Sequence, residues 1–201
     1  MANSLQKLVI ATGNAHKLHE IKVLLEPIGI EVLPQSDFNV PEAAEPHGTF
    51  IENALAKARH AARLTGLPAL ADDSGICVAA LGGKPGVISA IYAGEPRSDA
   101  RNNEKLLAAM QGMADRRAHY HCALVLLRHA DDPQPVIAEG QWHGVILQAP
   151  RGAGGFGYDP LFLDPELDQT VAEISTEDKN RVSHRGKALQ MLVEKLRSIQ
   201  D

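Results

Sequence analysis

The stretch Thr12-Gly13-Asn14-Ala15-His16-Lys17 constrains this chain more than any other, because it joins two segments of different periodicity. Before it, Leu8-Val9-Ile10-Ala11 is short, uncharged and rich in β-branched residues, as a buried strand requires. After it, Leu18, Ile21, Leu24, Leu25 and Ile28 recur at helical spacing. A strand therefore passes into a helix across Gly13-Asn14. Gly13 lets the backbone approach a ligand closely, Asn14 can cap the helix, and the first helical N–H groups face outward. Lys17 adds a full positive charge one turn in. Such a turn suits an anion such as phosphate, although strand-to-helix turns of this kind also arise for structural reasons alone.

Further along, Gly29-Ile30-Glu31-Val32-Leu33 reads as a second strand and the proline-bearing stretch 34–47 as a loop. Thr49 and Glu52 form a capping-box pattern at the start of a helix whose apolar face carries Phe50, Ile51, Ala54, Leu55, Ala58 and Ala62. Asn53 and Lys57 fall on its polar face. Pro68-Ala69-Leu70-Ala71 leads to Asp72-Asp73-Ser74-Gly75, read as an acidic pair between strands, and then to a strand over 76–80. A third helix is expected over 99–110, and 117–129 with 135–147 form a long antiparallel hairpin around the turn-forming Asp131-Asp132-Pro133. A glycine-rich loop over 152–157, a short strand near 161–163 and a C-terminal helix opened by Ser183-His184-Arg185-Gly186 complete the chain. This order of elements predicts an α/β fold: an elongated mixed sheet with flanking helices in two lobes, with ligands gathering at strand ends.

With 201 residues, 44% hydrophobic and 22% charged, the composition is that of a globular protein with one good core. A formal charge of −5 argues against nonspecific binding of nucleic acid. No apolar run approaches the ~20 residues of a membrane span, and Met1 to Lys7 lacks a signal-peptide core, so a cytoplasmic protein with a small-molecule partner is expected. Cys77 and Cys122 lie far apart in apparent strands and read as buried apolar thiols.

Three further groups carry chemistry. Asp73, backed by Asp72 and by Glu45 from the preceding loop, suits Mg²⁺, which takes oxygen ligands and bridges one or two carboxylates to substrate phosphates. The alternative is a turn in which the aspartates accept local backbone N–H groups. Gly152-Ala153-Gly154-Gly155-Phe156-Gly157 formally matches G-x-G-x-x-G, but it neither follows a strand nor opens a helix, and Pro160 follows closely. It is a loop able to wrap a ligand, with Phe156 able to stack on a planar base and Asp159 able to accept hydrogen bonds. Lys179, His184 and Arg185 offer donors for a phosphate or a carbonyl-bearing base.

Thr12-Gly13-Asn14 with Lys17, Glu45 before Gly48-Thr49-Phe50, Glu52-Asn53-Ala54 with Lys57, Ala71-Asp72-Asp73-Ser74-Gly75, Phe156-Gly157-Tyr158-Asp159-Pro160 and Ser183-His184-Arg185-Gly186 follow one another along essentially the whole chain. In that order they resemble the inosine triphosphate pyrophosphatase family of the Ham1 type. The resemblance implies the ITPase-like fold shared with Maf proteins, one domain over 1–201 and a nucleotide cleft between its two lobes. It also implies a homodimeric, Mg²⁺-dependent enzyme that hydrolyses deaminated purine nucleoside triphosphates such as ITP, dITP and XTP to the monophosphate and pyrophosphate, which keeps them out of DNA and RNA. On that likeness Asp73 is the catalytic acid/base and a metal ligand, with Glu45 and Asp72 completing the metal set. Thr12, Gly13, Asn14, Ala15, His16, Lys17, Lys57 and Ser74 would contact the triphosphate. Phe156, Gly157, Tyr158, Asp159, Lys179, His184 and Arg185 would hold the base, with His184, Arg185 and Asp159 open as its selector. Two other readings stand beside this one: a Maf-like pyrimidine nucleotide pyrophosphatase, and a nucleotide-binding sensor without turnover.

Overall fold

The computed structural model describes residues 5–200, with the side chains of His16, Thr176, Ile199 and Gln200 outside that description. The strands are β1 (Lys7–Ile10), β2 (Glu31–Pro34), β3 (Ala69–Val78), β4 (Arg117–Leu127), β5 (Val136–Ile146), β6 (Phe162–Asp164) and β7 (Gln169–Thr170). The helices are α1 (Ala15–Leu25), α2 (Phe50–Thr65), α3 (Asp99–Ala109), α4 (Thr176–Val182) and α5 (His184–Gln200). The strands form one mixed sheet in the order β2-β1-β3-β4-β5-β6-β7. The chain divides into two compact units, Met1–Asp73 with Cys122–Gly140 and Arg185–Asp201, and Ser74–His121 with Gln141–His184.

In the first unit β1 pairs in parallel with β2 and with β3, where Val9 faces Ala69 and Ile10 faces Leu70. Successive strand residues point to opposite faces. Leu8, Ile10, Leu70 and Leu124 therefore pack with Ile21 and Leu25 of α1 and Leu189 and Leu192 of α5. Val9, Ala69, Ala71 and Val125 pack with Ala54, Ala58, Ala61 and Ala62 of α2. The alanines leave little side-chain bulk on the face that α2 turns inward. Thr49 caps this helix by accepting from the Glu52 N–H, the first half of the capping box, and its hydroxyl, not its backbone N–H, donates to the Glu52 carboxylate at 2.7 Å.

The second unit has its own core of Ile76, Val78, Leu106, Met110, Tyr120, Trp142, Tyr158, Leu161 and Phe162. Within it β5 and β6 are antiparallel, as are β6 and β7. The Trp142 indole N–H donates to Asp164 at 2.7 Å, which satisfies the ring's polar edge inside the core.

Three local expectations change. Asp72 and Asp73 do not lie between strands; β3 runs unbroken through them and ends at Val78, with a 3-10 turn over Ala79–Leu81. The acidic pair stays in the strand because each carboxylate meets cations on its own face. The C-terminal helix opens at His184 as expected, but Lys179 does not belong to it: a separate short helix, α4, carries that lysine, and Ser183, extended (φ −68°, ψ 159°), divides the two. Cys122 is fully buried and burial pushes its thiol up to about 12, but Cys77 is only half-buried; both are free thiols.

Candidate active site

Strand alternation separates the two aspartates. Asp72 shares the face of Leu70 and meets α1 and α5, whereas Asp73 shares the face of Ala71 and meets α2. Lys17 of α1 places its ammonium 2.8 Å from Asp72 Oδ2, and the Arg185 guanidinium of α5 stands 3.5 Å from the same oxygen. Arg185 is itself anchored by Glu20, one helical turn after Lys17, so two cations and two carboxylates alternate in a buried row. The Asp72 side chain is 1% exposed. Burial opposes its charge, yet Lys17, then Arg185 and Lys57, overcome that cost and hold its carboxyl well below the usual range.

Asp73 behaves in the opposite way. Its Oδ1 lies 3.2 Å from the Lys57 ammonium, which is also 3.0 Å from Glu45 Oε2. Its Oδ2 accepts a hydrogen bond from Asn53 at 3.2 Å. Burial pushes the Asp73 carboxyl up to about 6; Lys57 opposes the rise and Glu45 adds to it. Asp72 faces the opposite side of the strand, and the carboxylate that opposes ionisation of Asp73 is Glu45, brought in from the loop before α2. Lys57 keeps its proton, because the three carboxylates Asp73, Asp72 and Glu45 outweigh its burial.

One ammonium thus serves two converging carboxylates, which leaves this spot one positive charge short. The donor set is all oxygen, and Glu45 and Asp73 already come within about 3 Å of a common cation position. Among the described residues no three His, Cys, Asp or Glu side chains are gathered for a metal. Two carboxylates suffice for a hard divalent ion that takes its remaining ligands from water and phosphate. The residues present therefore fit Mg²⁺.

The opening turn has the form its sequence predicts. The Asn14 side chain accepts from the Lys17 N–H at 3.3 Å, capping α1, while Thr12 Oγ1 accepts from the Asn14 N–H at 3.2 Å. Thr12 is half-buried, and Gly13 and Ala15 are exposed at the turn. His16 belongs to the first turn of α1, and its side chain lies outside the described residues.

In the second unit the loop after β5 is closed on Asp159. Its Oδ2 accepts the Phe156 N–H at 3.0 Å and the Lys179 ammonium at 2.9 Å, and its Oδ1 accepts the Tyr120 hydroxyl at 3.1 Å. Gly155 is required here: its φ is +73°, and a Cβ on it would collide with the Asp159 carboxylate. Lys179 also stands 4.7 Å from the centre of the Phe156 ring. Gly157 donates to Asp99 at 2.7 Å and accepts from Asn103 at 2.9 Å, so α3 fixes the turn from below. The Tyr158 hydroxyl donates to the Ser89 carbonyl at 2.8 Å. His184 stacks on Tyr120 with ring centres 4.9 Å apart and 14° between planes. Ser74 is half-buried where β3 enters this unit.

Of the sequence-derived candidates, Lys17, Asp72 and Arg185 come together on one face of the first unit and Glu45, Lys57 and Asp73 on the other. Phe156, Asp159 and Lys179 meet in the second unit, with His184 beside them through Tyr120. Glu20, Asn53, Asp99, Asn103 and Tyr120 were missed as site residues. The polar face of α2 flagged Asn53, but the others sit in ordinary helix or strand patterns, and only the tertiary contacts give them meaning.

These observations define an α/β protein with alternating cations and carboxylates in one unit and aromatic rings gathered around a single hydrogen-bonded carboxylate in the other. The chain belongs to the Ham1 family, whose model matches residues 8–195. It is 66% identical over 192 residues to a Nitrosomonas europaea protein named dITP/XTP pyrophosphatase, covering 96% of this chain and 95% of that one. A protein of the same name from Aromatoleum aromaticum is 64% identical over 190 residues, with 94% and 96% covered. Among solved structures, a Ham1 protein from Coxiella burnetii superposes with a TM-score of 0.92 at 46% identity, covering 96% of this chain and 98% of that one.

Proposed function

We infer that this chain is a hydrolase that cleaves deaminated purine nucleoside triphosphates, dITP and XTP among them, to the nucleoside monophosphate and pyrophosphate. The activity rests on the named relatives of high identity and nearly full coverage. The observation that carries its chemistry is the convergence of Glu45 and Asp73 on one cation position, beside a lysine-bearing helix start.

The residues then take these parts. Lys17 and the first N–H groups of α1 bind phosphate oxygens, with Asp72 and Arg185 holding Lys17 in place when no phosphate is bound. Glu45 and Asp73 would hold Mg²⁺, which supplies charge neutralisation for the phosphates. Asp73, with its carboxyl raised towards neutrality, is suited to take a proton from a water attacking the α-phosphorus in line. Lys57 bridges the two carboxylates and donates to phosphate, and Ser74 adds a hydroxyl. For the base, Phe156 offers a ring face and Lys179 a donor. Asp159 fixes that donor, whose remaining N–H groups fit the 6-oxo group of hypoxanthine or xanthine and mismatch the amino group of adenine. Arg185, occupied by Glu20 and Asp72, is assigned to the phosphate side. We further propose a homodimer in the cytoplasm acting on free nucleotides, not on nucleic acid; among the described residues no helix is long and apolar enough to cross a membrane.

A panel of ITP, dITP, XTP, ATP, GTP, UTP and CTP, assayed with Mg²⁺ for pyrophosphate and orthophosphate separately, tests this reading. Pyrophosphate from the first three with little turnover of the rest is expected. Preference for UTP or CTP would instead favour the Maf-like reading, and tight binding without product would favour a sensor.

A further inference from the structure

Asn53 uses its whole amide group inside the first unit. Its Oδ1 accepts the His47 N–H at 3.0 Å, and its Nδ2 donates both to the His47 carbonyl at 3.3 Å and to Asp73 Oδ2 at 3.2 Å. The residue is 1% exposed and lies in the first turn of α2, where the Thr49 cap and the packed alanines leave it little freedom. His47 is two residues after Glu45, in a loop whose side chains are otherwise largely exposed. The loop is held to α2 by these two bonds at His47, by the Lys57 contact with Glu45 and, at its start, by the His60 ring against the Pro41 carbonyl; of these, only the bonds at His47 come from a side chain that also holds Asp73 through a rigid amide.

The one acceptor and two N–H donors of a planar amide have fixed relative positions. Two of its bonds clamp the loop backbone and the third fixes a carboxylate on β3, so the amide transmits the position of one to the other. A lysine ammonium between Glu45 and Asp73 cannot do this alone, because its long stem is flexible and its charge is non-directional. We propose that Asn53 is a positioning residue that sets the separation of Glu45 and Asp73, so that both carboxylates face one divalent cation. It touches neither the nucleotide nor the ion. Leucine or alanine at this place would leave the Asp73 carboxylate without a fixed rotamer and release the His47 backbone. The inference rests on the reading of Glu45 and Asp73 as cation ligands.

Mn²⁺ binding to the full chain, followed by electron paramagnetic resonance without nucleotide, separates the two claims. In Asn53→Ala we expect Mn²⁺ affinity about tenfold weaker and kcat on ITP about thirtyfold lower, with KM changed by less than about threefold, within the range for residues that orient ligands. Asn53→Ser, which keeps a small polar side chain, serves if the alanine variant does not fold, and the same losses are expected of it. The decisive comparison is the pair with Glu45→Gln. Because Asn53 acts partly through the loop that carries Glu45, adding Asn53→Ala to that variant should cost only about threefold more. Unchanged Mn²⁺ affinity in folded Asn53 variants, or losses that multiply fully with Glu45→Gln, would overturn the proposal. If neither Glu45→Gln nor Asp73→Asn weakens Mn²⁺ binding relative to the wild type, the cation reading itself falls.

Discussion

The two units handle polar groups in opposite ways. In the first, charges are balanced against one another, from the buried Asp72 and Arg185 out to the exposed Glu45: Lys17, Arg185, Glu20 and Asp72 in one row, Lys57, Glu45 and Asp73 in another. In the second, one carboxylate, Asp159, is satisfied by a backbone N–H, a phenol and a single ammonium, and rings cover the remainder. Balanced ions suit a ligand that brings several charges and a cation of its own. Directed hydrogen bonds and ring faces suit a ligand whose identity lies in one carbonyl or amino group. The first unit should therefore set rate and affinity for any nucleoside triphosphate, and the second should set which base is accepted.

The largest effect that would sharpen this contrast is on Asp73. Asp73→Asn keeps the shape and removes the charge, and hydrolysis should fall about 10²-fold or more on ITP and on any slow substrate alike. A near-normal rate at saturating Mg²⁺ would place the chemistry elsewhere. Lys17→Ala should raise KM for ITP and weaken inhibition by pyrophosphate, each about tenfold, because the lysine meets phosphate in both substrate and product. Unchanged binding of both would make the opening turn purely structural.

A third, smaller effect concerns stability and pH. The Asp72 carboxyl is held below its unfolded value, so its contribution is present above about pH 4 and is lost as pH falls further. Asp72→Asn should cost about 3 kcal/mol in denaturant unfolding at pH 7, the scale for removing one partner from a buried ion pair. The gap to wild type should narrow towards pH 3. A gap independent of pH would mean that Asp72 matters for packing and not for charge.

Much of this contrast was legible before any coordinates. The Gly13-Asn14 turn, the Thr49 cap and the alanine face of α2 are local, and local propensity and periodicity report them. The acidic pair was legible as chemistry but misplaced as structure. Two adjacent aspartates look like a turn, and only the cations brought from α1, α2 and α5 explain how β3 can carry them on opposite faces. The same holds for the basic turn at Ser183-His184-Arg185. Positive charge at a helix start opposes the helix dipole, and it is Glu20, 165 residues away, that with Asp72 supplies the negative charge. Asn53 was legible only as a polar position on α2, and Tyr120 not at all, because a buried amide or phenol takes its meaning from what it touches.

The division of labour is tested most directly by the ratio of kcat/KM for ITP over ATP in Lys17→Ala and in Lys179→Met. Lys17→Ala should lower both rate constants and keep the wild-type ratio within about twofold. Lys179→Met should narrow the ratio by about tenfold or more, since the donor that meets the 6-oxo group is gone while the phosphate site is intact. A ratio unchanged in Lys179→Met, or collapsed in Lys17→Ala, would contradict the account.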